Sequence, residues 1–165
     1  MRVLLPIAEE PYTEAQVDFV GSYRWPKDTE IKVLHVMHSV MIERTMVSSQ
    51  IYIDQIMKDA RKLADKAAEE TMANIKKVCP DLKVSKELKE GDAIHEIIAV
   101  AEEWKANMIV MGSHGREGIG RVVLGSVAYS VLAKAPCKTI ILGLPHVEKE
   151  YDDSWKKAPI AIKIN

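Results

Sequence analysis

Short apolar runs alternate along the chain with longer stretches of helical periodicity. The runs have the length and the Val, Ile and Leu content of buried strands, and we expect strands at residues 2–8, 30–37, 82–88, 107–112 and 137–143. The clearest helix lies between the second and third runs, because apolar or small residues recur there every three or four positions. The positions of this stripe are Ile56, Ala60, Leu63, Ala67, Thr71, Ile75 and Val78.

A second helical pattern follows Gly91, with Asp92 as a suitable N-cap. Its apolar stripe is Ile94, Ile97, Ile98 and Ala101. Near-continuous apolar strands that alternate with helices are typical of a parallel sheet covered on both faces and joined by right-handed crossovers. The sequence therefore predicts a single doubly wound α/β domain, which we assign to residues 1–145.

Residues 146–165 form a C-terminal extension beyond this domain. Ile160, Ile162 and Ile164 alternate with other residues, which places them on one face of a short strand. We expect this strand to add to a sheet edge or to cross to a partner subunit; a frayed tail is the alternative. Residues 38–49 are the one long connection inside the domain and could cover a site.

Charge and composition exclude several classes of protein. The chain has 23 basic and 24 acidic residues and a formal charge of −1, so it lacks the basic surface of a general nucleic-acid binder. Its apolar runs are far shorter than the roughly 20 residues that cross a bilayer, and Met1 leads directly into a strand, which predicts a cytoplasmic protein without membrane contact. Cys79 and Cys137 each lie beside a proline, and we interpret them as small buried residues at element ends.

The stretch from Met111 to Ser126 contains five of the chain's eight glycines. It follows the fourth strand and precedes a helical pattern, so it lies at the carboxyl edge where doubly wound sheets bind ligands. Glycine lets the backbone approach an oxyanion closely, and a helix N-terminus adds free N–H donors. This arrangement predicts a phosphate cradle flanked by Arg116 and Arg121. The spacing fits neither a Walker A loop nor the dinucleotide fingerprint. The alternative interpretation is a glycine-rich surface turn.

The stretch MGSHGREGIGRVVLGSVAYSVLAKAPCKTIIL resembles the C-terminal signature of the universal stress protein family. ATP-binding members of that family carry G-x2-G-x9-G-[ST], and the pattern is complete here as Gly112, Gly115, Gly125 and Ser126. The resemblance implies a five-stranded parallel sheet in the order 3-2-1-4-5 with helices on both faces. It also implies a homodimer joined through the last strand, and ATP, alone or with Mg²⁺, as the ligand.

The same resemblance implies which residues bind the nucleotide. Pro6 and Val36 would contact the adenosine half. The phosphates would be wrapped by Met111, Gly112, Ser113, His114, Gly115 and Arg116. Gly125, Ser126 and Val127 would close the other side.

Ala8 departs from the pattern of the ATP-binding members, which commonly have an acidic residue there to hold the ribose hydroxyls. Loss of a hydrogen bond to a charged group typically costs on the order of 1.5–3 kcal/mol. Two classes of function follow. The glycine-serine pattern favours a nucleotide-binding regulatory protein, whereas Ala8 favours a ligand-free dimeric interaction module.

Enzymatic sites are poorly indicated. Only His114 and Glu117 could act as a base near the phosphates, so we expect at most a slow ATPase and assign no catalytic residue. Ser113 and His114 are adjacent without a nucleophile elbow, which disfavours a serine hydrolase. His35 and His38 lie an odd number of residues apart and would face opposite sides of a strand, which disfavours a metal site.

Overall fold

The fold is given by a computed structural model, which describes residues 1–8, 12–37, 50–113 and 124–143. In chain order the described elements are β1 (Arg2–Ile7), α1 (Tyr12–Ser22), β2 (Glu30–Met37), α2 (Gln50–Val78), β3 (Lys83–Glu90), α3 (Ala93–Glu103), β4 (Met108–Gly112), α4 (Ser126–Lys134) and β5 (Lys138–Leu142). All described strand pairs are parallel, and the sheet order is β3-β2-β1-β4-β5. The predicted fold class and strand order are confirmed.

The sheet separates two apolar cores. Val3, Leu5 and Ile7 of β1 contribute to the core beneath α1 and α2, whereas Leu4 contributes to the core beneath α3 and α4. This alternation follows from the pleat, because successive side chains of a strand point to opposite faces. Strand β1 is buried on both faces, which explains why its sequence reads as a continuous apolar run.

Helix α2 packs through a different face from the one that the sequence pattern predicts. Between residues 54 and 78, where its side chains are described, the buried residues are Ala64, Ala68, Thr71 and Ile75. The predicted stripe is correct at Thr71 and Ile75 but wrong toward both ends of the helix. Leu63 is 69% exposed and Ile56 is 42% exposed, and Val78, the last residue of α2, is 47% exposed. Small Ala64 and Ala68 let the helix approach the sheet closely, and this contact rather than side-chain size decides the buried face.

Polar contacts fix the position of α2 over one edge of the sheet. Lys86 of β3 donates to Asp65 at 2.6 Å and to Glu69 at 2.7 Å. Helix α2 therefore lies over the β2–β3 side, at the opposite edge from β5.

On α3, the Asp92 side chain accepts a hydrogen bond from the His95 N–H at 2.9 Å, which confirms the predicted N-cap.

Several other predictions concern residues at element ends or outside the described ranges. Cys79 and Cys137 are free thiols at element ends, directly after α2 and before β5, as predicted, but they are half-buried rather than buried. Among the described residues, no helix is both long and apolar enough to cross a membrane. Residues 38–49 and the extension 146–165 lie outside the described residues, so their predicted roles stay predictions.

Candidate functional site

The strand order reverses between β1 and β4, which is where a doubly wound sheet opens to a ligand. Six residue pairs join β1 to β2, but only two pairs, Val3 with Met108 and Leu4 with Ile109, join β1 to β4. The ladder between β1 and β4 therefore ends well before the carboxyl end of β1. A crevice at this edge of the sheet follows from the topology.

Gln16 of α1 bridges β1 and β4 beyond the end of their ladder. Its side-chain amide Nε2 donates to the carbonyl of Pro6 at 2.9 Å and to the carbonyl of Val110 at 2.8 Å, and the residue is only 1% exposed. The amide thus takes the place of the missing strand-to-strand hydrogen bonds. Sequence reasoning missed this residue. Its signal is a polar position within the buried i, i+3, i+4, i+7 series of Thr13, Gln16, Val17 and Val20.

Two backbone hydrogen bonds at the end of β4 join it to β5 and to the start of α4. The Ser113 N–H donates to the Leu142 carbonyl at 2.7 Å, and the Gly125 N–H donates to the Ser113 carbonyl at 2.8 Å. Residues 111–113 and 125–127, the described parts of the glycine pattern, therefore lie next to each other at the carboxyl edge of the sheet. His114, Gly115, Arg116 and Arg121 lie outside the described residues.

The N-terminus of α4 offers hydrogen-bond donors to an anion. Gly125 is the N-cap, with φ −60° and ψ 153°, and it supplies no side-chain acceptor. The first bond of the helix runs from the Tyr129 N–H to the Gly125 carbonyl at 2.9 Å. Helix geometry leaves the N–H groups of the first turn, from Ser126 onward, without an acceptor inside the helix, and the helix dipole adds positive potential.

Gly112 has a packing role that the sequence interpretation missed. A Cβ on Gly112 would lie 2.7 Å from Cβ and 2.8 Å from Cγ of Tyr12, far inside van der Waals contact. Glycine is therefore required at this position by the start of α1, whether or not a ligand is bound. The spacing of the glycine pattern alone cannot distinguish this role from contact with a phosphate.

The predicted adenosine contacts lie at the carboxyl ends of β1 and β2. Pro6 is buried and is the register partner of Leu34, so Val36 lies two residues further along β2. Val36 is half-buried and packs against the core beneath α3 and α4. Ala8 is exposed and follows β1 directly, so no carboxylate occupies that position.

His35 faces the opposite side of the sheet from Val36. Its Nδ1 atom is buried and has no hydrogen-bond partner within the described ranges, and burial lowers the pKa of the imidazole. His38 lies outside the described residues, and among those described no three His, Cys, Asp or Glu residues gather at metal-binding distance.

A groove of about 740 Å³ lies on the same side of the sheet, between α1 and α2. Its walls include Ala8, Glu14, Asp18, Glu70 and Lys77. Three carboxylates against one ammonium disfavour a phosphate there. The N-terminus of α4 lies on the other side of the sheet and is the better candidate for an anion.

Comparison with known proteins agrees with this fold and placement. The model of the universal stress protein family matches residues 1–143. The chain belongs to the universal stress protein family. Universal stress protein MJ0531 of Methanocaldococcus jannaschii is 35% identical over 89 residues, which are 53% of this chain and 52% of that relative. The alignment thus spans about half the length of that relative.

Two further members of the family align over most of their length. Universal stress protein MJ0577 of M. jannaschii is 26% identical over 144 residues, 81% of this chain and 89% of that protein. Its solved structure superposes with a TM-score of 0.66 at 25% identity, covering 87% of this chain and 95% of that chain. The universal stress protein of Archaeoglobus fulgidus in complex with dAMP superposes with a TM-score of 0.59 at 19% identity, covering 86% and 96%.

Proposed function

We propose that this universal stress protein binds a nucleotide, ATP, and acts as a cytoplasmic homodimeric regulatory protein. One observation carries the proposal: the hydrogen bond from the Gly125 N–H to the Ser113 carbonyl. This bond uses the Gly125 N–H and holds the uncapped N-terminus of α4 against the end of β4, so the N–H groups of Ser126 and Val127 are the donors that α4 offers at the carboxyl edge of the sheet. Such a cluster suits phosphate oxygens.

The nucleotide would lie along the edge from β2 to α4. Pro6 and Val36 would contact the adenosine, and the backbone at 111–116 and 125–127 would bind the phosphates, with Mg²⁺ if the triphosphate requires it. A related domain with this fold, that of A. fulgidus, has been solved in complex with dAMP, which supports a purine nucleotide as the ligand. We expect hydrolysis to be slow, because only His114 and Glu117 could act as a base near the phosphates.

Ala8 predicts that the phosphates contribute more to the affinity for a nucleotide than the adenosine does. An alanine side chain cannot accept hydrogen bonds from ribose hydroxyls, and a charge-assisted bond contributes about 1.5–3 kcal/mol, or roughly ten- to a hundredfold in affinity. We therefore expect pyrophosphate to bind nearly as tightly as ATP, and AMP to bind much more weakly than either.

The homodimer would form through β5. Within the described part of the chain, β5 pairs with β4 on one side only, so its other side presents unpaired backbone N–H and C=O groups. A two-fold axis at this edge would pair β5 with β5 of the partner.

A ligand-free dimeric interaction module is the second candidate. Two observations favour it. Ala8 lacks the carboxylate, and Gly112 is explained by its contact with Tyr12 without any ligand.

Substitution of Ser126 separates the two candidates. Ser126 is exposed at the first position of α4, so Ser126→Glu would place a carboxylate beside the expected phosphates. A negative charge in the first turn also favours the helix itself, so the fold should keep its stability. Ser126→Gln is the matched neutral control.

Calorimetric titration with ATP, AMP and pyrophosphate gives the readout, after assay of the purified protein for co-purified nucleotide. We expect wild type and Ser126→Gln to bind ATP and pyrophosphate, and Ser126→Glu to bind neither while its melting temperature is unchanged. If wild type binds none of the three ligands, the interaction module is the correct function. If all three proteins bind ATP equally, the nucleotide does not lie at α4.

A further inference from the structure

The groove between α1 and α2 carries an excess of negative charge. Of the described residues that line it, Glu14, Asp18 and Glu70 carry carboxylates and Lys77 carries an ammonium. The Lys77 ammonium donates to the Asn74 side chain at 3.2 Å. Within the described ranges neither Glu14 nor Asp18 forms an ion pair. This charge favours a cationic occupant.

The same groove presents apolar surface. Ala73 is exposed, and Val78, at one end of the groove, is 47% exposed. A Cβ on Gly21 would lie 3.2 Å from the Cβ of Val78, so α1 and α2 are in contact at that end. Ile7 and Ala8, at the carboxyl end of β1, line the other end, which we call the mouth. An occupant that suits this groove combines positive charge with apolar side chains.

Residues 154–165 of the chain have this composition. They contain three lysines, no aspartate or glutamate, and seven apolar residues among the twelve. The preceding stretch, residues 144–153, has the opposite charge, with four acidic residues against one lysine. The charge of the chain therefore changes sign at position 154, and only the segment that follows complements the groove.

We propose that residues 154–165 dock in the groove between α1 and α2 of the same chain. Strand β5 ends at Leu142 on the carboxyl edge, and the mouth lies at the same edge beside β1, two strands away. Two strand spacings are about 10 Å, and the start of α1, a helix about 10 Å in diameter, must be passed on the way. The ten residues 144–153 span up to about 33 Å when extended, which is enough. This location differs from the sheet edge or partner subunit that the alternating isoleucines suggest.

Entry from the mouth fixes the direction of the docked segment. Lys157 would lie beside Glu70, near the mouth. From Glu70 to Val78, helix α2 rises about 12 Å. An extended chain rises about 3.3 Å per residue, so Ile160 lies about 10 Å and Ile162 about 17 Å beyond Lys157. The two isoleucines therefore lie on either side of the exposed Val78 side chain.

Docking on the same chain requires only weak contacts, because a short connection holds the segment at a high effective concentration. Exposed charge pairs are weak and are screened by salt, so the apolar contacts must contribute as well. The groove lies on the opposite side of the sheet from α4 and away from the outer edge of β5. The proposal therefore rests neither on nucleotide binding nor on the homodimer.

Limited trypsin digestion of the full chain at low salt measures docking, because trypsin cleaves after lysine only where the backbone is accessible. Mass spectrometry gives the initial rate of cleavage within residues 154–165, relative to cleavage after Lys149 in the connecting stretch. This rate follows the undocked population when docking is fast compared with cleavage. Docking on the same chain gives protection that is equal at roughly 5 µM and roughly 100 µM protein.

Neutralising the carboxylates tests the charge of the groove. Glu14→Gln combined with Glu70→Gln should raise the relative cleavage rate about two- to tenfold, because two exposed charge pairs are lost. Glu102→Gln combined with Glu103→Gln on α3 is the matched control, since these two residues are exposed and the net charge changes equally. The control should be cleaved at the wild-type rate.

Filling the groove tests its apolar part. Ala73→Phe places a ring beside Val78 and should raise the relative cleavage rate several-fold without any change of charge. Ala60→Phe is the matched control, because Ala60 is an exposed alanine of the same helix that does not line the groove. Circular dichroism should show similar melting temperatures for all these variants, because every substituted residue is exposed.

Equal relative rates in the wild type, the Glu14/Glu70 double variant and Ala73→Phe would overturn the proposal. Rates that are equally fast would mean that the segment is free, and rates that are equally slow would mean that it is covered elsewhere, such as at a sheet edge. Protection that rises with protein concentration would overturn docking on the same chain. None of these results bears on nucleotide binding, which calorimetry measures separately.

Discussion

Gln16 offers a direct measure of what holds the crevice between β1 and β4 together. The substitution Gln16→Leu keeps an apolar stem of similar size within α1 but removes both hydrogen bonds, to Pro6 and to Val110. Because the residue is 1% exposed, water has little access to replace the lost donor. Both carbonyl groups would then lose a buried partner at the edge where the ligand is proposed to bind.

The expected loss of stability follows from those two contacts. A typical hydrogen bond contributes a net 0.5–1.5 kcal/mol, and a buried carbonyl left without a partner costs about 1–3 kcal/mol. Partial compensation by the apolar leucine leaves an expected destabilisation of about 2–4 kcal/mol. For a chain of this length, 1 kcal/mol shifts the melting temperature by roughly 2–4 °C, so we expect Tm to fall by about 5–15 °C.

Urea denaturation followed by circular dichroism gives the free energy of unfolding of Gln16→Leu. Gln55→Leu is the control, since Gln55 is an exposed glutamine on α2 and its replacement should change stability by less than about 0.5 kcal/mol. Gln16→Glu provides a second check. At neutral pH its carboxylate would face two carbonyl oxygens. Acidification should reduce its loss of unfolding free energy relative to wild type, because the protonated carboxyl can donate one of the two bonds.

Equal stability of Gln16→Leu and wild type would refute this reasoning, because a bridging amide cannot be removed without cost. Pyrophosphate binding adds a second readout. Since Gln16 positions the strands that carry Pro6 and Met111, we expect the affinity of folded Gln16→Leu for pyrophosphate to fall several-fold. Unchanged affinity with lowered stability would limit Gln16 to a role in folding.

Two further substitutions test contacts near the site. Gly112→Ala should destabilise the fold by about 1–3 kcal/mol, because the new Cβ collides with Tyr12. In a double-mutant cycle measured by urea denaturation, Tyr12→Ala should relieve most of that loss, and additive losses would contradict the contact. His35 has a pKa below its ordinary value of 6.5, so below that pH the unfolded chain binds a proton that the folded chain does not. Stability should therefore fall as the pH drops from 6.5 toward the folded-state pKa, by at most about 1.4 kcal/mol per pH unit, and His35→Leu should lose this slope while His95→Gln at an exposed site keeps it.

Four strands were predictable from the sequence because β1, β2, β4 and β5 are short apolar runs, whereas β3 has only Val84 and Leu88 as apolar residues and no buried residue. β1 and β4 are buried on both faces, and their runs differ from the observed strands by only one residue at an end. The parallel direction of the strands then follows from their alternation with helices. Strand order came from the resemblance to universal stress proteins, and the structure confirms it.

The contacts that shape the candidate site were less predictable, because they join residues far apart in the chain. Gln16 and Val110 are separated by 94 positions, and no local pattern connects them. Tyr12 and Gly112 are likewise distant, so the glycine pattern suggested a ligand contact where packing also requires glycine. Toward the N-terminus of α2, Ile56 and Leu63 suggested the buried face, whereas Ala64 and Ala68 are the buried residues there, since close approach to the sheet favours small side chains.

Because Gly125 gives α4 no side-chain cap, binding of a ligand at the N-terminus of α4 would change the stability of this helix. A helix of nine residues frays readily from an end whose N–H groups lack acceptors, and a bound phosphate would supply those acceptors. The bound ligand would then cap the N-terminus of α4, which has no cap from the protein's own side chains. Amide hydrogens in the first two turns of α4 would exchange more slowly with solvent when nucleotide is present. The stabilisation of α4 would extend to β5 through the Ala135–Cys137 connection that follows the helix.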